Sequence, residues 1–143
     1  DDRPYEDFVN GDFLPFQAGM EAGGDTTAVL VSHNIVECMD ADLPASLSPS
    51  VHHILREELG FDGVVMTDDL AMEAVSAYDG DGAVAVMALE AENDLVLSTD
   101  YRTQIPKVIG AVENGYLDAS VIDTACLRML RWKQALGLLE GLV

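Results

Sequence analysis

The feature that most constrains this chain is a set of short apolar runs spaced by helical signals. Thr27-Ala28-Val29-Leu30-Val31-Ser32 is a near-continuous run of strand length, and Gly63-Val64-Val65-Met66-Thr67 and Leu95-Val96-Leu97-Ser98 repeat the pattern. Polar and apolar residues do not alternate in them, so both faces of each strand must be covered, as in a parallel sheet. Helix starts and stops surround the runs. Asp12 can cap a helix that carries Pro15 in its first turn and ends at Gly23-Gly24. Ser48-Pro49 sets a hydroxyl cap before a proline at the first helical position, and that helix runs to Leu59 and closes at Gly60. Residues 70–77 read as a short helix or turn, and 83–91 as a helix. Thr103 can cap a helix reaching Glu113, and Asp118 the next, where Val121, Ile122, Ala125, Met129 and Leu130 are expected to make one buried stripe.

The order α-β-α-β-α-β-α-α implies an α/β fold with parallel strands alternating with helices. Residues 1–143 read as one domain with enough chain for a core, and residues 1–11 as a loop. Three short strands do not complete a doubly wound sheet or a barrel. The sequence starts at Asp1 with no signal segment, which suggests a start partway through a longer protein.

Seven basic residues oppose 26 acidic ones, for a formal charge of −19. That field repels phosphate backbones and anionic lipid, so neither nucleic acid nor a membrane surface is an expected partner. No apolar run reaches the roughly 18 residues of a spanning helix. Cys38 and Cys126 lie far apart without a CxxC partner, which argues against a zinc cluster or a disulfide scaffold, and their apolar neighbours suggest buried free thiols. His52 and His53 are adjacent on a helix and face different ways, whereas helical metal ligands need a spacing of three or four. Asp79-Gly80-Asp81-Gly82 resembles the start of a calcium loop, but Ala83 stands at the third ligand position and no closing Glu follows, so it reads as a turn. No metal site is expected. GxGxxG, P-loop and GxSxG motifs are absent from the sequence.

In parallel α/β folds, ligands gather at the C-terminal ends of strands. Here those ends carry Ser32-His33-Asn34, Thr67-Asp68-Asp69 and Ser98-Thr99-Asp100. Asp68-Asp69 is the most informative pair. Two adjacent carboxylates after a buried strand cannot both point inward, so one can face the mouth of the fold while the other holds backbone. Two helix-capping acids before Leu70-Ala71-Met72 are the alternative. His33 can be a satisfied structural group or part of a site.

Pro44-Ala45-Ser46-Leu47-Ser48, Leu55-Arg56-Glu57-Glu58-Leu59-Gly60-Phe61-Asp62-Gly63-Val64-Val65 and Thr67-Asp68-Asp69-Leu70-Ala71-Met72 resemble the family 3 glycoside hydrolases, in the β-N-acetylhexosaminidase branch that takes part in peptidoglycan recycling. Val31-Ser32-His33 looks like that family's sixth barrel strand. Ala111-Val112-Glu113-Asn114-Gly115 and the segment from Arg128-Met129-Leu130 to Leu136-Gly137-Leu138-Leu139 resemble its final helices. The resemblance implies a partial TIM-type barrel holding the last three strands, the C-terminal part of that barrel. It implies a retaining glycosidase acting on terminal β-linked N-acetylglucosamine, with Asp68 as nucleophile, Asp69 behind it orienting the loop, and His33 and Met72 lining the pocket. No cofactor and no metal is implied.

The family's upstream K-H-F-P-G-H-G-D-T element, its His/Asp acid/base dyad and its substrate-holding arginines have no counterpart here. Weak activity alone is therefore expected, together with self-association or pairing with the missing N-terminal half. Glu92-Asn93 stands where the family has glycine, and Asn93 can supply the left-handed turn. Two other readings stay open: a non-catalytic α/β binding or scaffolding domain, and a β-glucosidase-branch enzyme, which the end of the chain soon after the closing helix disfavours.

Overall fold

A computed structural model of the chain describes residues 1–80 and 83–139. Strands β1 (Ala28–Val31) and β2 (Val64–Thr67) pair in parallel, in register from Ala28↔Val64 to Val31↔Thr67. The third apolar run lies beside β2 but makes only one bridge, Met66↔Leu95. Its hydrogen bonds show why. Leu95 N–H donates to Val65 O and Thr67 N–H to Leu95 O, both at 3.1 Å, as a parallel ladder requires. The next rung goes to a side chain instead, with Leu97 N–H donating to Thr67 Oγ1 at 3.0 Å. The expected three-stranded sheet is thus two strands and a bridged segment.

Seven helices surround the sheet: α1 (Tyr5–Asp7), α2 (Phe13–Gly23), α3 (Pro49–His53), α4 (Glu73–Ser76), α5 (Val84–Glu90), α6 (Tyr101–Glu113) and α7 (Ala119–Ala135), counted among the described residues. Ser48 caps α3, accepting from Val51 N–H at 3.2 Å with Pro49 next to it. The helix then widens over Ile54–Glu58, where Leu59 N–H reaches Ile54 O, and ends at Gly60 with φ 69°. Asp118 caps α7 through Ser120 N–H at 2.8 Å.

Several expectations need correction. Residues 1–11 are not a loop: α1 runs into a π-helical stretch, Phe8–Asp12. Phe8 is buried, its ring lies 6.0 Å from that of Phe13, and the Arg3 guanidinium sits 4.4 Å over it. Burial and a 2.7 Å bond donated to Glu58 push the Tyr5 hydroxyl up to about 12. Asp12 caps nothing, because its backbone is already helical and its carboxylate pairs with Arg3 at 2.8 Å. Asp100, not Thr103, precedes α6, and the Thr103 hydroxyl donates to it from inside the helix. Glu92 takes the left-handed turn at φ 74°, which lets Asn93 turn inward and become buried. Cys38 and Cys126 are free but exposed; one helical step from buried Ala125 carries Cys126 to the outer face of α7. Of the turn at 79–82, Asp81 and Gly82 lie outside the described residues.

One core cluster, Val31, Ala45, Leu55, Phe61 and Val65, packs β1 and β2 against α3 and its extension. A second, with Leu47, Leu70, Val75, Val84, Ala85 and Ala88, joins α5 to the turn after β2. At the N-terminal end of the sheet sits a buried ion network. The Asp94 side chain, 2% exposed, accepts from Arg56 at 2.7 Å, Arg128 at 3.2 Å and Val65 N–H at 2.9 Å. Arg56 also donates to the carbonyls of Phe61 and Gly63. Arg128 reaches Asp62, whose side chain is exposed. Trp132, further along α7, donates its indole N–H to Thr26 O at 2.9 Å and ties α7 to the entry of β1.

His52 is buried on α3. Its Nδ1–H donates to Ser48 O at 2.9 Å, and Nε2 has no partner among the described residues. Burial lowers its pKa from the ordinary value.

Replacing Asp94 by Asn leaves the buried Arg56 guanidinium without its close carboxylate and Arg128 with Asp62 alone, and should cost about 3–5 kcal/mol in urea unfolding. The same change at exposed Asp62 should cost about 0–1 kcal/mol. The lowered pKa of His52 means that the unfolded ring gains its proton at a higher pH than the folded one. Stability should therefore be full above about pH 6.5 and fall below it, by up to about 1.4 kcal/mol per pH unit, until the folded ring also protonates. Unfolding curves between pH 7 and 5, compared with His52→Phe, should show that slope only in the parent.

Candidate active site

Parallel pairing brings the C-terminal ends of β1 and β2 side by side. Asp68 N–H donates to Val31 O at 3.3 Å and adds one rung past the end of β2. The half-buried Asp68 carboxylate accepts Asp69 N–H on Oδ1 at 2.8 Å, and its Oδ2 takes no protein donor among the described residues. One oxygen is oriented and the other is open.

Asp69 has different neighbours. Its Oδ1 accepts Ala71 N–H and Thr99 N–H, each at 2.9 Å, and so joins the turn after β2 to the end of the third apolar run. These two backbone donors hold its carboxyl below the usual carboxylate range. The two acids are therefore held apart in orientation and in bonding.

His33 lies beside this turn with 9% of its surface exposed. Its Nε2 is 3.0 Å from Asp69 O. A carbonyl only accepts, so Nε2 carries the hydrogen and donates. In the neutral ring the Ser46 hydroxyl then donates to Nδ1, at 2.6 Å. Ser46 is itself buried on the tight turn Ala45–Leu47. Its N–H donates to Ser32 O, and its carbonyl accepts Asn93 Nδ2 at 2.8 Å. Asn93 also donates to Ala88 O. Met72, 44% exposed, precedes α4, and its N–H donates to the same Asp69 carbonyl.

Sequence reasoning singled out Asp68, Asp69, His33 and Met72, and the fold gathers all four around one turn. It gave Ser46 and Asn93 no part in the site. The one sequence signal for Ser46 is a hydroxyl inside the tight Pro44-Ala45-Ser46-Leu47 run; Asn93 gives no signal without the fold. Among the described residues, no group of three or more His, Cys, Asp or Glu is arranged to hold a metal ion. A cleft of about 810 Å³ opens at the other end of β2, between α2, the 60–63 turn and α7. Its wall includes Arg128, already held by Asp94, and it lacks the carboxylate pair. Parallel α/β folds place their ligands at the C-terminal ends of strands, the end that carries the Asp68 turn.

The sequence profile described as "Glycosyl hydrolase family 3 N terminal domain" matches residues 1–132. A β-hexosaminidase of Stenotrophomonas maltophilia is 37% identical over 138 residues, covering 96% of this chain and 38% of that protein. Among solved structures, the family 3 β-N-acetylglucosaminidase of a Paenibacillus species superposes with a TM-score of 0.88 at 33% identity, over 99% of this chain and 28% of that one. The β-N-acetylglucosaminidase of Thermotoga maritima gives 0.85 at 27% identity, over 92% and 30%. The chain thus spans 38% of the length of that β-hexosaminidase, a little over a third. Its mixed α/β fold and its sequence agree across nearly its whole length with one family: the chain belongs to glycosyl hydrolase family 3.

Proposed function

We propose that this chain carries the nucleophile of a retaining β-N-acetylhexosaminidase, and that Asp68 is that nucleophile. The observation that supports this best is the Asp68 carboxylate at the end of β2, with Oδ1 aimed by the Asp69 amide and Oδ2 open. In the first step Oδ2 attacks the anomeric carbon of a terminal β-linked N-acetylglucosaminide, of the kind met in peptidoglycan recycling. The C–O bond to the aglycone breaks, and its electron pair leaves on the aglycone oxygen, which takes a proton. Water then attacks the glycosyl ester, releases the sugar with its configuration retained, and regenerates the carboxylate. Asp69 holds the turn, and Met72 and His33 flank it.

The proposal extends to architecture. Residues 1–143 correspond in this reading to one unit, the last three strands of a (β/α)8 barrel. The family's Lys-His element and acid/base dyad have no counterpart in these residues, and general acid help is worth about 10²–10⁴-fold, so turnover by this chain alone is weak. Exposed Leu30 on β1 and Leu97 on the third apolar run, with Tyr101, Ile105 and Ile109 along one face of α6, support association with a second copy or with the rest of a family 3 barrel.

Purified chain and Asp68→Ala should be compared for nitrophenol release from a β-N-acetylglucosaminide. Weak turnover that vanishes in the variant is the expected result. Equal turnover in both would remove Asp68 from the chemistry, and tight N-acetylglucosamine binding without any turnover would favour a non-catalytic binding domain. Light scattering should show a species larger than a monomer, more so in high salt, where the repulsion of the −19 charge is screened. A compact monomer at all salt concentrations would count against association.

A further inference from the structure

We propose that His33 is a positioning residue for Asp68: held by Ser46, it pins the Asp69 carbonyl and so fixes the amide that aims the Asp68 carboxylate. The inference rests on the reading of Asp68 as the nucleophile.

The register carries the argument. Val31 pairs with Thr67 in the last full rung of the sheet, and Asp68 N–H still reaches Val31 O. Continued by two residues, that register sets His33 opposite Asp69. Among the described residues, no backbone bond joins the two segments there. The His33 ring replaces the rung, through Nε2–H to Asp69 O at 3.0 Å. Asp69 is then held at each polar group it owns. His33 and Met72 N–H hold its carbonyl, Ala71 and Thr99 hold its carboxylate, and its own N–H is donated to Asp68 Oδ1.

The ring is equally fixed at its other side. Nδ1 meets the Ser46 hydroxyl at 2.6 Å, and Ser46 is tied to the end of β1 through Ser32 and to the end of α5 through Asn93. Both nitrogens are occupied and the ring is buried, so it has no polar atom left for a sugar. Buried, fully bonded polar groups of this kind set geometry, because each unmade bond there is costly. A carboxylate that must reach an anomeric carbon depends on such geometry, and a misplacement of about 1 Å can cost about 100-fold in rate.

The test compares the full chain with His33→Phe, which fills the space without either bond, and with His33→Gln, which restores a donor toward Asp69. Ser46→Ala, a smaller lesion, serves where His33→Phe does not fold. The first readout needs no turnover. The Asp69 amide proton, bonded to the Asp68 carboxylate, should carry a downfield shift in NMR spectra, a component identified by its loss in Asp68→Ala. It should disappear in His33→Phe, shrink in Ser46→Ala and return in His33→Gln. The second readout is hydrolysis of the nitrophenyl β-N-acetylglucosaminide. There kcat should fall about 10- to 100-fold in His33→Phe, with KM within about twofold, and recover in His33→Gln. An unmoved Asp69 signal in folded His33→Phe, or equal loss in the Phe and Gln variants, would overturn the brace. Turnover that survives Asp68→Ala would instead overturn the nucleophile reading alone, so the two failures are told apart.

Discussion

A carboxylate withdrawn from water needs compensating charge and donors, and Asp94 has both. Arg56 comes from the extension of α3, Val65 N–H from β2 and Arg128 from α7, so one buried oxygen pair joins three elements far apart in sequence. The sheet needs this support. Two strands with four paired positions are too little ladder to hold parallel chains by themselves. The ion network supplies the missing order at the N-terminal end of the sheet, where strands enter from their loops. In parallel α/β folds that end concerns stability, and the opposite end carries chemistry.

The C-terminal end is organised by other means. Among the described residues, no buried ion pair lies there. A histidine, a serine hydroxyl, an asparagine amide and the backbone donors around Asp69 do the holding. A permanent cation beside Asp68 would hold its carboxylate by charge, whereas hydrogen bonds orient one oxygen and leave the second open. The two ends of β2 thus differ in the kind of force that orders them.

Much of this was legible in the residues. The Val-rich runs mark β1 and β2, because a strand covered on both faces needs no polar alternation. Ser48 and Asp118 act as the caps their positions suggest, since each precedes a helix in extended backbone with an open N–H within reach. Asp12 carries the same chemical type and fails as a cap, because packing of Phe8 and Phe13 continues the helix through it. The third apolar run has the composition of a strand, but Thr67 intercepts its ladder with a hydroxyl, a competition that no periodicity reveals. In the site, the place of Asp68 and Asp69 follows from the end of a buried strand. The partners of Asp69, and the roles of Ser46 and Asn93, depend on chain crossings 30 to 47 residues apart, which only the fold discloses.

The bond from Trp132 to the carbonyl of Thr26 spans 106 residues. During synthesis, β1 leaves the ribosome long before the indole that steadies its entry exists, and Arg128 arrives equally late for Asp94. The growing chain must keep two short parallel strands unfastened while α4 to α6 are made. Consolidation of these two strands therefore waits for α7, and a nascent chain halted before it would expose its apolar strands to chaperones and proteases.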